Sequence, residues 1–290
     1  VNIARPISIF GTNSQLDGFD RTGSHNYPII NISNLPGLQI TNLSFDEDSS
    51  VTCPYPSGGC SSTLVASNSQ NISLDNISIS NSKVMAVEIS KSQNISIKNS
   101  SFQNAQVFGI WFDNSTTNLS SNIHIENNEF KDNHANAILF SGTGQSEKPS
   151  TIIGNTFIHN HQKAIFNTCN GPCSGGQLLI ESGTKNLVIS GNTIKDGVIE
   201  DFSGGWGASG IEFQTGNIDS VNLTTNTIYN NSGVGIIANT NLINTSNISI
   251  TNNHIYNNQK GDVIFPGATI SNNCLLEICL TIPPSPTPTP

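Results

Sequence analysis

Residues 109–130 decide the fold: Gly109-Ile-Trp-Phe, Asn122-Ile-His-Ile and Asn128-Glu-Phe are three short pieces with apolar residues at alternate positions, separated by bends rich in Asn, Ser and Thr. Period-2 alternation over pieces this short specifies strands and not helices. The same pattern recurs along most of the chain. Aligned on the small residue that opens each repeat, it reads Ala86-Val-Glu-Ile, Gly109-Ile-Trp-Phe, Ala137-Ile-Leu-Phe, Ala164-Ile-Phe-Asn, Gly210-Ile-Glu-Phe, Gly235-Ile-Ile-Ala and Gly261-Asp-Val-Ile, at intervals of 23, 28, 27, 46, 25 and 26 residues. One such unit cannot bury its own apolar side, so neighbours must stack into a continuous core.

Three strands per turn of roughly 25 residues describe one coil of a parallel β-helix. Ile, Leu, Val and Phe point inward at alternate positions, and Asn side chains at the bends stack rung on rung and hydrogen-bond along the axis. No stretch has the period of a long amphipathic helix. On these repeats the chain resembles the right-handed parallel β-helix of the pectin lyase-like superfamily, over about residues 1–280. The resemblance implies an all-β, right-handed single-stranded parallel β-helix (solenoid) of about 9–10 coils, and it is specific for fold and weak for function. The expected division is a β-helix domain over 1–282, entered within its first coil and without its amino-terminal cap, and a linker over 283–290. Pro283-Pro-Ser-Pro-Thr-Pro-Thr-Pro has the stiff, extended composition of such a linker.

Of 290 residues only 11% are charged, and the formal net charge is -9. Lys and Arg total 11, with no basic run. This balance argues against nucleic-acid and anionic-membrane partners. No apolar run of about 20 residues exists to span a bilayer. Six cysteines fall as three close pairs, Cys53 with Cys60, Cys169 with Cys173 and Cys274 with Cys279. They read as three local disulfides of an extracellular or cell-surface protein, since none has the paired two-residue spacing of a zinc knuckle. The recurring Asn-Ile-Ser creates many Asn-Xaa-Ser/Thr sequons by construction, Asn71, Asn76 and Asn94 among them.

Function turns on where the repeat is broken. Most coils use 14 to 19 residues from opening residue to last-strand Asn, but the coil opened at Ala164 uses 28 to reach Asn192, and 18 more to reach Gly210. Two insertions are therefore expected, one after that opening strand around Cys169-Asn-Gly-Pro-Cys-Ser-Gly-Gly-Gln and one before the next around Val198-Ile-Glu-Asp-Phe-Ser-Gly-Gly-Trp-Gly-Ala-Ser, rising as walls on either side of those strands, where the resemblance to carbohydrate-active β-helix proteins implies a polysaccharide groove. With the second residue of each opening strand inward, the third faces out and forms a ladder of Glu88, Trp111, Leu139, Phe166, Glu212 and Ile237, one rung per ~4.8 Å. Trp111 and Trp206 are candidate sugar-stacking residues, with Asp113 and Glu88 as polar contacts.

Glycoside hydrolysis needs two carboxyls ~5 to 9.5 Å apart, one protonated and one ionised. Glu88 and Glu212 are four rungs, about 19 Å, apart and cannot be that pair. Glu212 as base or nucleophile with Glu200 or Asp201 as acid can be. A second constellation comes from aligning last strands: Asp132 lies over His159 and His134 over His161, with Asp196 continuing the first column and Lys163 following at once. The two imidazoles and two carboxylates suit a divalent metal, or, with His161 or Lys163 as base, proton abstraction beside a uronate carboxylate that Ca²⁺ or another cation neutralises. A hydrogen-bonded polar ladder is the plainer reading.

No complete family catalytic set is present. The Asn-Thr pieces continue as Asn155-Thr-Phe, Asn192-Thr-Ile and Asn226-Thr-Ile, without the Asp of polygalacturonase-like members, and the only arginines are Arg5 and Arg21. Two readings follow. One is an extracellular or cell-surface β-helix that binds polysaccharide along its opening-strand groove as an adhesin, stalk or glycan-binding module, with no cofactor required. The other is a secreted carbohydrate-active enzyme, a glycoside hydrolase or, second, a polysaccharide lyase or epimerase. An uncapped solenoid end also invites end-to-end self-association.

Overall fold

The computed structural model describes residues 6–17, 28–47, 60–113, 120–141, 149–161, 174–199, 207–214, 216–238 and 243–277. All regular structure among them is β, in two parallel sheets of 17 and 9 strands. Each coil gives one opening strand to the nine-stranded sheet and a long and a short strand to the seventeen-stranded sheet, as the three-piece repeat requires. Ile110, Trp111 and Phe112 pair in register with Val87, Glu88 and Ile89 on one side and with Ile138, Leu139 and Phe140 on the other. The first described strand, Ile7–Asp17, runs beside Leu38–Asp46, the long-and-short-strand region of the next coil. No helix among the described residues is long and apolar enough to cross a membrane.

The core is a column. Ile95, Ile97, Ile110, Phe112, Ile123 and Ile125 are all fully buried. The rings of Phe102, Phe130 and Phe157 stack at centroid spacings of 5.1 Å and interplanar angles of 19° and 10°. The small residue that opens each repeat is set by its neighbour one coil on: a Cβ at Gly109 would sit 2.5 Å from the Ala137 carbonyl oxygen.

Asparagine serves the bends in two ways. Outside, it takes the left-handed backbone region, with φ of 56° at Asn42, 51° at Asn76 and at Asn99, and 56° at Asn127, a conformation Asn tolerates better than other non-glycine residues. Inside, it satisfies the buried backbone. The Asn128 N–H and Nδ2 both donate to Asn155 Oδ1 at 2.9 Å, Asn128 Nδ2 also donates to the Ile97 carbonyl at 2.9 Å, and the ladder continues through Asn192, Asn226 and Asn253. The expected asparagine ladder is therefore present. Among the sequons, Asn76 Nδ2 donates to Asn42 Oδ1 and Asn94 Nδ2 to Asn71 Oδ1, at 2.7 and 3.0 Å, which marks them as ladder residues.

One coil is built differently from its expected form. The strand that follows Ile138–Phe140 is Ser174–Ile180 and not Ala164-Ile-Phe-Asn: Ile138, Leu139 and Phe140 pair with Leu178, Leu179 and Ile180. Gln177 occupies the small-residue position. Residues 162–173 lie outside the described residues and precede this opening strand, as 200–206 precede Gly207–Phe213. Ser174–Gln177 and Gly207–Ser209, the ends of the two expected insertions, are strand residues, and the rest of the expected walls lies largely outside the described residues. Cys60 and Cys274 are disulfide-bonded and no cysteine among the described residues is free; Cys53, Cys169, Cys173 and Cys279 lie outside them.

Candidate functional site

The outer face of the nine-stranded sheet carries two columns. The first runs Glu88, Trp111, Leu139, Leu179, Glu212, Ile237, with Leu179 in the rung expected for Phe166. Much of it is covered. Leu139, Leu179 and Ile237 are buried, and Leu139 and Leu179 pack with Val84, Met85, Val107, Phe108 and Ala135 in a second apolar cluster outside the main core. Those five come from the turns that lead into the opening strands, where the sequence places apolar residues just before each small residue. Trp111 leans on this cluster, half-buried, its ring 6.2 Å from Phe108 and tilted by 54°. Its expected role as an open stacking platform is reduced to an edge. Glu88 accepts a hydrogen bond from Ser62 Oγ at 2.7 Å.

Glu212 is buried, between Leu179 and Ile237 in register. Its approach to the neighbouring strand is set by glycine: a Cβ on Gly176 would lie 2.7 Å from the Glu212 amide nitrogen. The partners proposed for Glu212 from sequence, Glu200 and Asp201, lie outside the described residues, as do Trp206 and Lys163.

The second column sits at the strand ends, two residues further on, and holds Ser90, Asp113, Ser141, Glu181 and Gln214. Asp113 pairs with Ser90; only its backbone position is described. The ladder runs on past the last strand residues, with the Glu181 N–H donating to Phe140 O and the Gln214 N–H to Ile180 O, at 2.9 and 3.0 Å. Ser90, Ser141, Glu181 and Gln214 are all half-exposed. Burial pushes the Glu181 carboxyl above its ordinary value.

Glu181 and Glu212 are diagonal neighbours on adjacent strands of one face, because Leu179 is directly opposite Glu212 and Glu181 lies two residues beyond. A rung of ~4.8 Å and two residues of ~3.3 Å put their Cα atoms about 8 Å apart. Sequence reasoning missed Glu181 because it opened this coil 13 residues early, at Ala164 instead of Gln177. The signal was available: from Gln177 to Asn192 is 15 residues, inside the range of the other coils.

The histidine constellation is partly assembled. His159 Nδ1 and Asp132 Oδ1 are 2.8 Å apart, as the aligned last strands require, and both side chains are about one-third exposed or less. Asp196 continues the column with its Oδ1 3.4 Å from Asn230 Nδ2. His134 and His161 follow on adjacent rungs, the His161 N–H donating to the Asn133 and Ala135 carbonyls at 3.0 and 2.7 Å. Asn160 turns inward between His159 and His161, donating to Gln177 Oε1 at 2.9 Å, while the His161 ring lies against Gly175, where a Cβ would overlap it. Among the described residues no group of three or more His, Cys, Asp or Glu side chains is placed to hold a metal ion.

The one cavity described lies elsewhere, along the bend between the long and short strands of the seventeen-stranded sheet, with a volume of about 630 Å³.

No curated protein matches the sequence. Among solved structures, a variant of the periplasmic alginate epimerase AlgG superposes with a TM-score of 0.56 at 10% identity, covering 92% of this chain and 69% of that one. The alginate lyase from Paenibacillus sp. str. FPU-7 superposes with a TM-score of 0.51 at 14% identity, covering 93% and 90%. At these identities the likeness is one of fold. The family described as "Right handed beta helix region" matches residues 12–174, more than half of the chain. With its parallel three-strand coils the chain belongs to that right-handed β-helix family, in keeping with the pectin lyase-like superfamily.

Proposed function

We propose that this protein binds polysaccharide across the outer face of the nine-stranded sheet, in an extracellular, periplasmic or cell-surface setting. The observation that carries the reading is the half-exposed polar row Ser90, Ser141, Glu181 and Gln214, repeated at rung spacing beside a covered apolar column. Carboxylate, amide and hydroxyl groups fixed on a rigid sheet suit the hydroxyls of a sugar chain. The test is binding of neutral glycans and uronans, with and without Ca²⁺, to the wild type and to Ser141→Trp, which fills the middle of the row. Loss of affinity in the variant supports the reading, and unchanged affinity removes it.

A second reading, glycoside hydrolysis, is favoured by the Glu181 and Glu212 pair. Their Cα atoms are about 8 Å apart on one face, so side-chain rotamers decide whether the two carboxyls reach the ~6.5 to 9.5 Å spacing of inverting enzymes. Glu181, which burial holds toward the protonated form, would give its proton to the glycosidic oxygen as the C–O bond breaks. Glu212 would take a proton from the attacking water as the new C–O bond forms at the anomeric carbon. New reducing ends that vanish in both Glu181→Gln and Glu212→Gln would support hydrolysis.

The local pairing of Cys53 with Cys60, Cys169 with Cys173 and Cys274 with Cys279 is part of the same proposal, supported by the bonded state of Cys60 and Cys274. Peptide mapping without reduction tests it. End-to-end self-association through the amino-terminal coil is supported by Phe10, which is 66% exposed in the first described strand; sedimentation as a monomer at all concentrations would contradict it.

A further inference from the structure

We propose a second glycan site, for a neutral chain, in the groove along the bend of the seventeen-stranded sheet. Its cavity of about 630 Å³ is within the size range of ligand pockets. The lining comes from five successive coils, from Asn42 to Gly154, so the groove runs along the helix axis for about four rungs, or ~19 Å. That shape fits an extended polymer better than a compact molecule.

The chemistry of the lining names the class. One wall is the column of left-handed asparagines, Asn76, Asn99 and Asn127 among them, all exposed; the other is Ser78, Ser101 and Glu129, all half-exposed. The asparagines are tied to neighbouring coils, Asn76 Nδ2 donating to Asn42 Oδ1 at 2.7 Å and Asn99 Nδ2 to Asp75 Oδ1 at 2.8 Å. A primary amide has two donor and two acceptor sites, so one such bond apiece restrains the side chain and leaves further donor and acceptor capacity for a ligand. Amides and hydroxyls both donate and accept, as sugar hydroxyls do, and they recur at the rung spacing.

Charge selects against uronans. The lining contains no Lys, Arg or aromatic residue, and its one ionisable side chain is the Glu129 carboxylate. Lys98, beside Asn99 in the chain, is tied to Glu126 at 2.8 Å. An anionic chain would meet the Glu129 carboxylate, which accepts from the neutral Gln103 amide at 3.3 Å, on a protein of net charge -9. The site is independent of the nine-stranded face: its residues come only from the other sheet and its bends.

The test is calorimetric titration of the full chain with cellohexaose, maltohexaose, laminarihexaose and mannohexaose, and with a hexauronate. At least one neutral hexaose is expected to bind more tightly than the hexauronate. Its affinity is expected to fall about tenfold or more in Ser78→Trp and Ser101→Trp, and to hold in Asn222→Trp, an exposed strand residue outside both sites. Should the tryptophan variants fail to fold, Glu129→Lys replaces them, with the ranking expected to shift toward the hexauronate. No neutral hexaose bound at millimolar concentration, hexauronate affinity that falls in Ser78→Trp and Ser101→Trp while neutral affinity holds, or groove variants that bind as the wild type does would each overturn the proposal.

Discussion

Gln177 Nε2 donates to Asn231 Oδ1 at 2.7 Å, across the rung where Gly197 supplies no side chain. Its Oε1 accepts from the backbone and side-chain nitrogens of Asn160, at 3.1 and 2.9 Å. The inner ladder that runs from Asn133 to Asn160 and from Asn231 to Asn258 is thereby bridged by a residue from the opening strand. All five residues of this bridge are buried.

Gln177→Ala should therefore leave the buried Asn160 N–H without its acceptor and remove one bond each from the Asn160 and Asn231 side chains, destabilising the fold by about 2–3 kcal/mol. Urea unfolding measures it. Gly197→Asn in the same chain restores the missing ladder residue at the regular position and should recover part of the loss. Additive effects of the two substitutions would contradict the bridging role.

The Asp132 and His159 contact is partly exposed, and pairs near the surface stabilise by about 0–1 kcal/mol. Asp132→Asn is expected to change unfolding free energy by less than about 1 kcal/mol. A larger loss, or a loss of polysaccharide turnover with binding retained, would show that the histidine column does more than cap a bend.

Glu181 links the site to pH. Its folded carboxyl titrates above the ordinary 4.5 because burial penalises the charge, so in that window the folded state binds more protons than the unfolded one. Stability of the wild type must then fall as pH rises from 4.5 through the raised folded value, and hold its full share below. Glu181→Gln lacks this penalty. Melting temperatures from about pH 3 to about pH 8 should show the variant gaining on the wild type as pH rises; a difference independent of pH would mean that Glu181 is not desolvated.

The same residues show what the sequence could and could not reveal. Repeats such as Asn94-Ile-Ser-Ile carry the strand period, and the left-handed bends need Asn, so coil, sheet direction and ladders were legible. The stacking of His159 on Asp132 followed from aligning Asn155-Thr-Phe with Asn128-Glu-Phe. The opening strand at Gln177 was hidden because Ala164-Ile-Phe-Asn imitates the motif locally, while the true strand has a large polar residue where its neighbours have Gly or Ala. Choosing between them depends on pairing with Ile138–Phe140, a contact between coils. Glu181 was lost with that register, and the burial of Leu139 and Leu179 was lost because the residues that cover them stand in the preceding turns.

The most direct measurement is the affinity of a polysaccharide panel for the wild type, Ser141→Trp and Asn222→Trp, all verified as folded. If sugar chains lie across the ends of the opening strands, at least one polysaccharide will bind the wild type and Asn222→Trp alike and bind Ser141→Trp about tenfold or more weakly. Equal binding by all three, or no binding to any, would contradict a glycan site on this face.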